Sequence, residues 1–353
     1  GECRIIKQNN SQTTRSLVLQ PVNSAAPRYP NKEFRSTRMT LTPSPNIQFL
    51  HPITNQKIDL KVLNLSGTGF MVEEEEENAT LLPGLMIPQM ELSFAGIFRV
   101  PCKAQVVYRH LPGASSTTSP VRCGLAILDM AVQDHVMLLS LLNQTRDSNS
   151  YMCNWVDMDH LFDFFFETGF IYPEKYAHIQ ANKKSFKETY KKLYTKAPAL
   201  ARHFTYQDNS GIHGHMSMLR FYENTWLAHH HAANHTGKVK NAGLHVLNQI
   251  NNFSNDSHSL SSIHLNFMLA YFRPENKFPQ RIFGGVSKFI GDKKCCSVDH
   301  FTYSNIKLTA NNNDLSLPTG WELVEMSPED LSELETFYEH HSGGLMITAL
   351  DLE

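Results

Sequence analysis

The run Asn-Leu-Ser-Gly-Thr-Gly at positions 64–69 lies between two apolar triplets that are typical of β-strands. Asn64 supplies an amide, Ser66 a hydroxyl and Gly69 bare backbone, which are the groups that a ligand-holding turn needs. Two arginines, Arg35 and Arg38, lie upstream. The planar fork of arginine gives two parallel hydrogen bonds to phosphate or to the O6/N7 edge of guanine. The pattern indicates a phosphate-ligand turn on a β-barrel, and the alternative is a plain turn in which Asn, Ser and Gly serve shape alone.

Histidines form the second group of residues that could do chemistry. The chain has 18 of them, and five fall in one predicted hairpin, His230 among them. Because side chains alternate along a strand, His213 and His215 are expected on one side, and His229 and His231 on one side. Three interpretations stay open: structural hydrogen-bonded histidines, an active-site or substrate-binding role, and a metal site. We expect no bound metal. For an enzyme, the candidates are Glu223 and His229 as acid and base, Arg220 as an anion anchor and Tyr303 as a proton donor.

Length and composition place the chain among multidomain globular proteins. Its 353 residues predict two or three domains. Hydrophobic residues make up 41%, and no apolar run approaches the roughly 20 residues that a membrane helix requires. The net charge of −2 argues against general nucleic-acid binding, whereas seven basic and two acidic side chains in residues 1–40 suit an anionic ligand. Six cysteines without metal-binding spacing favour a reducing cytoplasm, and the adjacent Cys295 and Cys296 predict ordinary packing, with a redox pair as the alternative.

The pattern along the chain predicts four regions. Residues 1–33 are polar and predict a flexible basic arm or linker. Residues 34–145 alternate as β-barrel strands do, and they end in a predicted helix. Region 151–310 has the predicted order helix, helix, strand, strand, helix, strand. Region 320–353 has a predicted strand at 321–324 and then a helix that Ser327 caps, with Pro328 at its first position.

The run at 64–69 and the upstream arginines resemble the PilZ family, whose members bind the bacterial second messenger cyclic di-GMP. The family joins an Arg-x-x-x-Arg motif to a later Asp/Asn-x-Ser-x-x-Gly motif. Residues 64–69 match the second motif in full, and residues 34–38 match the first in part, because that window begins with Phe34. The resemblance covers roughly residues 34–145. It implies a barrel that binds cyclic di-GMP through Arg35, Arg38, Asn64, Ser66 and Gly69.

The predicted order of region 151–310, with a long hairpin that enters a helix through a Gly-containing turn, resembles the GNAT acetyltransferase fold. GNAT enzymes bind the acyl-CoA pyrophosphate on backbone amides at a helix N-terminus. The corresponding place is residues 234–243, where the family spacing is absent. The resemblance implies an acyl-CoA site at Gly237, Lys238, Lys240 and Gly243. Region 320–353 resembles the opening of another GNAT repeat, and it is either a partial repeat or a C-terminal extension.

We therefore expect a cytoplasmic bacterial protein with an all-β PilZ-like barrel followed by an α/β (α+β) GNAT-like domain. In one version, cyclic di-GMP at the barrel controls acyl transfer from acyl-CoA to an amine or a protein acceptor. In the other, the GNAT-like domain is not catalytic and binds a protein partner. We expect no nucleic-acid partner and no membrane span. The final Leu352-Glu353 resemble a cloning remnant, so we interpret the chain as a piece of a longer protein.

Overall fold

The computed structural model describes residues 3–10, 15–21, 35–75, 79–110, 120–153, 156–234, 239–302, 318–322 and 324–352. The chain divides into two compact units, Gly1–Leu138 and Leu139–Glu353. Each unit has its own sheet structure and its own set of buried apolar side chains.

The first unit begins with an antiparallel hairpin of β1 (Cys3–Asn10) and β2 (Arg15–Pro21). The sequence analysis predicted a flexible arm over residues 1–33. Short runs of aliphatic and β-branched residues, Ile5-Ile6 on β1 and Leu17-Val18-Leu19 on β2, favour extended backbone and outweigh the polar composition around them. The structure thus adds paired strands at residues 3–10 and 15–21 to the region predicted as a flexible basic arm or linker.

Six further strands of this unit close into a barrel, in the order β3-β4-β5-β8-β7-β6. Every neighbouring pair is antiparallel. Apolar side chains such as Ile47, Leu65 and Phe70 are fully buried, as a small barrel filled by its own side chains requires. The predicted all-β barrel is confirmed. Its strands are β3 (Asn46–Leu50), β4 (Lys57–Ser66), β5 (Gly69–Glu74), β6 (Met86–Phe94), β7 (Phe98–His110) and β8 (Val121–Met130), and α1 (Val132–Arg146) follows.

The second unit is built on a five-stranded sheet in the order β13-β12-β11-β10-β9. Its neighbours are antiparallel except for β12 and β13, which are parallel. A parallel pair needs a crossover connection, and α5 supplies it. The predicted α/β region is thus present. Its elements are β9 (Ser150–Met152), α2 (Met158–Glu167), α3 (Tyr176–Ala181), α4 (Lys183–Lys196), β10 (Ala201–Asp208), β11 (Gly211–Arg220), β12 (Thr225–Ala233), α5 (Ala242–Ser257) and β13 (Phe267–Leu269).

Helices cover both faces of this sheet. On one face, the aromatic helix α2 and the basic helix α4 pack on Ala201 and Ala232 through Phe165 and Tyr194. On the other face, Phe253 of α5 packs on Phe204 and Trp226, with ring centroids 5.6 and 6.2 Å apart. Alternation along the strands therefore sends one set of side chains towards α2 and α4 and the other set towards α5.

The C-terminal part of the second unit is helical. A continuous helical segment, 277–290, follows β13 along the chain. It consists of α6 (Lys277–Pro279), a π-helical turn (Gln280–Gly284) and α7 (Gly285–Ile290). Helix α8 (Pro328–Ser342) begins at the predicted cap Ser327, which forms a capping box with Asp330, and α9 (Leu345–Ala349) follows. The predicted strand at 321–324 is wrong for Trp321, Glu322 and Val324, which form no strand. Within the described residues, no helix has both the length and the apolar character needed to cross a membrane.

Candidate functional site

The segment that carries the two arginines is held against the end of β4. Met39 and Leu65 form an isolated antiparallel bridge, with N–H···O distances of 2.8 and 2.9 Å in the two directions. Leu65 is fully buried, whereas the preceding residue, Asn64, is half-buried. The bridge therefore places Arg38 beside Asn64, and the Arg38 guanidinium Nη1 donates to Asn64 Oδ1 at 3.4 Å. Arg35 and Arg38 are both exposed.

The turn between β4 and β5 uses Ser66 and Gly69 to hold its own shape. Ser66 is buried, and its hydroxyl donates to the Gly69 carbonyl at 3.1 Å. A Cβ atom on Gly69 would lie 2.4 Å from the Leu125 carbonyl oxygen, because β5 and β8 approach closely there. Both residues thus have a structural role, which the alternative of a plain turn expected for Ser66 and Gly69. Arg35, Arg38 and Asn64 are left to present donors at the surface.

The second candidate site is a buried cluster of histidines and aromatic rings between the sheet and helices α2 and α4. Tyr194 of α4 stacks on His203 with ring centroids 4.5 Å apart, and it shares a 3.2 Å hydrogen bond with His230 Nδ1. The ring of Phe165 meets His215 edge-on at 5.0 Å. On β11, His215 Nδ1–H donates to the His230 carbonyl at 3.0 Å. The cluster thus joins β10, β11 and β12 to two helices.

The predicted alternation of the histidines on β12 is wrong. The pairing of β11 with β12 shifts between His215 and Ser217, and His230 adopts a left-handed backbone with φ of 54°. Such a bulge inserts an extra residue and reverses the side-chain alternation beyond it. His229 is therefore hydrogen-bonded to Ser217 Oγ at 3.1 Å in the cluster, whereas His231 Nε2 donates to the Gly243 carbonyl of α5 at 3.0 Å.

Burial controls the protonation of the cluster. Desolvation lowers the pKa of His203 and of His229 to about 4 and that of His230 to about 3. The pKa of His215 is well below its usual value, chiefly because of burial and then because of repulsion from His203. These four imidazoles are neutral at neutral pH, and two of them form side-chain hydrogen bonds in the cluster, His230 with Tyr194 and His229 with Ser217. Within the described residues, no group of three or more His, Cys, Asp and Glu side chains is arranged to hold a metal ion.

The other predicted catalytic residues lie apart from this cluster. Glu223 is exposed in the β11–β12 turn, where its N–H donates to Asp351 Oδ2 at 2.6 Å. His229 lies further along β12, at about 3.3 Å per residue, so the structure does not bring the two together. Arg220 Nε donates to the Glu223 carbonyl at 2.8 Å and so fixes the turn. Tyr303 lies outside the described residues.

The predicted acyl-CoA residues lie where β12 leads into α5. Gly237 and Lys238 are outside the described residues, Lys240 lies in the turn before α5, and Gly243 is in the first turn of α5. A Cβ atom on Gly243 would lie 3.2 Å from His231 Nε2, so glycine allows this close contact. Strand β13 pairs with β12 from Thr225 to Leu227 alone, and within the described residues no strand continues along that edge. Beyond Leu227, towards the start of α5, this edge of β12 therefore has no paired strand among the described residues.

Sequence reasoning missed Tyr194, His203 and Ser217 as members of the histidine cluster. Tyr190 and Tyr194 are four residues apart on α4, a spacing that places two side chains on the same face of a helix. Their rings stack with centroids 5.7 Å apart. That signal predicts a buried face but not its partners, because the partners come from β10, β11 and β12.

No family model matches the chain, and no curated protein sequence does. Several solved structures do. The Bacillus subtilis inhibitor of motility MotI/DgrA is 14% identical, with 41% of this chain and 66% of that chain covered and a TM-score of 0.27. The PilZ domain of YcgR from Escherichia coli, solved with c-di-GMP, is 20% identical over 33% of this chain and 97% of that domain, with a TM-score of 0.27. The K. pneumonia MrkH–c-di-GMP complex is 12% identical over 33% and 56%, with a TM-score of 0.29. The chain thus spans less than two thirds of the MotI/DgrA and MrkH chains.

Proposed function

We propose that the barrel is a receptor for cyclic di-GMP. The observation that carries this proposal is the Met39–Leu65 bridge, which sets the exposed Arg38 guanidinium beside the Asn64 amide at the rim of the barrel. Cyclic di-GMP presents two phosphates and two guanine edges. Arg35 and Arg38 supply forked cationic donors for both groups, and Asn64 supplies a donor and an acceptor.

The expected strength of these contacts follows from their chemistry. In the ligand-free protein, the 3.4 Å bond from Arg38 to Asn64 is long and exposed, so little is lost when Arg38 turns to a phosphate. A hydrogen bond between charged partners contributes about 1.5–3 kcal/mol. Ser66 and Gly69 act by keeping the turn in place, with their mutual 3.1 Å bond intact.

Competition binding with fluorescent cyclic di-GMP tests this proposal. Arg35→Ala, Arg38→Ala and Asn64→Ala should each weaken binding. Arg99→Ala is the matched control, because Arg99 is an exposed barrel arginine that pairs with Glu91 on β6. Unlabelled cyclic di-GMP should displace the probe, whereas cyclic di-AMP should not, because adenine lacks the O6 acceptor. Equal affinities for the four variants and the wild type would refute this assignment of the site.

A second function, acyl-thioester binding by a GNAT-like second unit, has separate support. The chain order β9, α2–α4, β10–β12, α5, β13, with β12 parallel to β13, agrees with the GNAT resemblance drawn from the sequence. The edge of β12 beyond Leu227, where β13 no longer pairs with it, would lie along a pantetheine-like chain, and the N-terminus of α5 favours its pyrophosphate. Lys240 and Gly243, together with Gly237 and Lys238, would hold the pyrophosphate. His229 remains the acid/base candidate, while Glu223 and Tyr303 remain predictions.

Thermal shift with acetyl-CoA and longer acyl-CoAs tests the second function, since a ligand of the native state raises apparent stability. Lys238→Glu with Lys240→Glu should abolish the shift, whereas Lys191→Glu with Lys192→Glu on α4 should retain it. In this version, cyclic di-GMP at the barrel regulates acyl transfer to an amine or protein acceptor. If no acyl-CoA shifts the melting temperature, the alternative of a non-catalytic receptor that binds a protein partner takes its place.

A further inference from the structure

The helical segment 277–290 carries apolar side chains on its outside. Phe289 is 92% exposed, Val286 49% and Ile290 45%. Single exposed apolar residues are normal on a protein surface. Three within five residues, one of them an almost fully exposed phenylalanine, form a patch of the kind that marks an interaction surface.

The same segment is cationic. It holds Lys277, Arg281 and Lys288 and no acidic residue, although the whole chain has a net charge of −2. All three basic side chains are exposed. Of the ion pairs found in the described part of the chain, none involves these three residues. Their charge is therefore available to an anionic surface.

We infer that segment 277–290 binds the surface of an anionic lipid bilayer. A short helix with exposed aromatic and aliphatic side chains lies in the membrane interface with its apolar side chains inserted, and basic side chains beside them pair with acidic headgroups. The long stems of lysine and arginine let their charged ends reach the headgroups while the helix lies flat. Charge complementarity favours an anionic lipid bilayer as the partner, because the segment carries three cations and the bilayer surface is uniformly anionic.

The position of the segment within the second unit gives this binding a defined geometry. Phe278, at its start, stacks on the His231 ring with centroids 5.0 Å apart, and His231 donates to the Gly243 carbonyl of α5 at 3.0 Å. At its end, Ser287 Oγ donates to the Cys296 carbonyl at 3.1 Å. The segment thus contacts β12 at its start and the turn that follows it at its end. This inference depends neither on nucleotide binding by the barrel nor on acyl transfer.

Co-sedimentation with vesicles tests the inference. The full chain should bind vesicles of phosphatidylcholine mixed with phosphatidylglycerol and should bind phosphatidylcholine vesicles far less. Charge reversal by Lys277→Glu, Arg281→Glu and Lys288→Glu together should weaken binding roughly 100-fold. Phe289→Ser should weaken it roughly 10-fold by removing the inserted ring. Since these side chains are exposed, the variants should keep the wild-type tryptophan fluorescence.

Two matched controls distinguish binding by segment 277–290 from an effect of overall charge or of any exposed apolar side chain. Lys184→Glu, Lys191→Glu and Lys192→Glu change the same charge on α4, whose apolar side chains Tyr190 and Tyr194 pack inward. Ile97→Ser removes an 84% exposed apolar side chain from the barrel. Both controls should bind as the wild type does. Equal loss with either control, absence of binding to anionic vesicles, or a concentration-dependent dimer that Phe289→Ser abolishes in place of vesicle binding would overturn the inference.

Discussion

The buried histidine cluster predicts a steep loss of stability in acid for the second unit. His203, His215, His229 and His230 all have a pKa below the ordinary value near 6.5 because burial disfavours the imidazolium. Their contribution to stability is fully present above the pKa of the unfolded chain. It is lost as the pH falls from about 6.5 towards about 4, because the unfolded state then binds more protons than the folded state.

The size of the effect follows from proton linkage. Each histidine that is protonated in the unfolded state alone removes about 1.4 kcal/mol of unfolding free energy per pH unit. Four such residues remove about 5 kcal/mol per unit, which is a large part of the roughly 5–15 kcal/mol that stabilises an ordinary domain. Replacing His203, which stacks on Tyr194, by phenylalanine keeps a ring in place and removes one proton from the difference between the unfolded and folded states. His203→Phe should therefore reduce the slope by about 1.4 kcal/mol per pH unit.

Urea unfolding followed by tryptophan fluorescence measures this slope in the second unit alone, because the three tryptophans, Trp155, Trp226 and Trp321, all lie within residues 139–353. His300→Gln is the matched control, since His300 is exposed in the folded protein and its replacement should leave the slope unchanged. If His203→Phe unfolds with the wild-type pH dependence, or if the wild type is equally stable at about pH 7 and about pH 5, the reasoning from burial is refuted.

Three further substitutions test the packing described above. Gly69→Ala should destabilise the barrel by about 1–3 kcal/mol, because its Cβ would lie 2.4 Å from the Leu125 carbonyl oxygen; an unchanged transition in calorimetry would contradict this. Ser327→Ala should cost the second unit about 1 kcal/mol by removing the α8 cap, while Ser332→Ala, an exposed position within α8, should cost nothing in the same urea titration. Arg202 is buried between Trp226 and Phe253, its pKa is lowered to about 10, and its Nε and Nη2 have no hydrogen-bond partner among the described residues. Arg202→Met should therefore be neutral or stabilising, and a loss of more than about 3 kcal/mol would show that the charge has a partner.

Local signals made much of the fold accessible from the sequence. The start of α8 at Ser327 and Pro328 and the glycine that follows α2 are capping features that act within one turn of helix. The apolar strands of the barrel are visible through their alternation. The β1–β2 hairpin was missed because the polar residues on both sides of its short apolar runs dominated the composition.

The parts of the sites that the sequence could not give depend on contacts between distant residues. The motif at 64–69 led to the hypothesis that Asn64 and the two arginines bind one ligand. The sequence could not show that a Cβ atom at Gly69 would lie 2.4 Å from the carbonyl oxygen of Leu125, because Leu125 is on another strand. The bulge at His230 arises from the register of β11 against β12, so simple alternation put His231 on the wrong face. Tyr194 joins the cluster from α4, 36 residues before His230.

Calorimetric titration of cyclic di-GMP into the full chain tests the nucleotide site on the barrel. We expect a saturable binding heat for the wild type. For Arg38→Ala we expect an affinity about 10- to 150-fold lower, which corresponds to the loss of about 1.5–3 kcal/mol from one charge-assisted hydrogen bond. Arg99→Ala should bind as the wild type does. No heat from the wild type at near-millimolar ligand, or an unchanged affinity in Arg38→Ala, would contradict the claim.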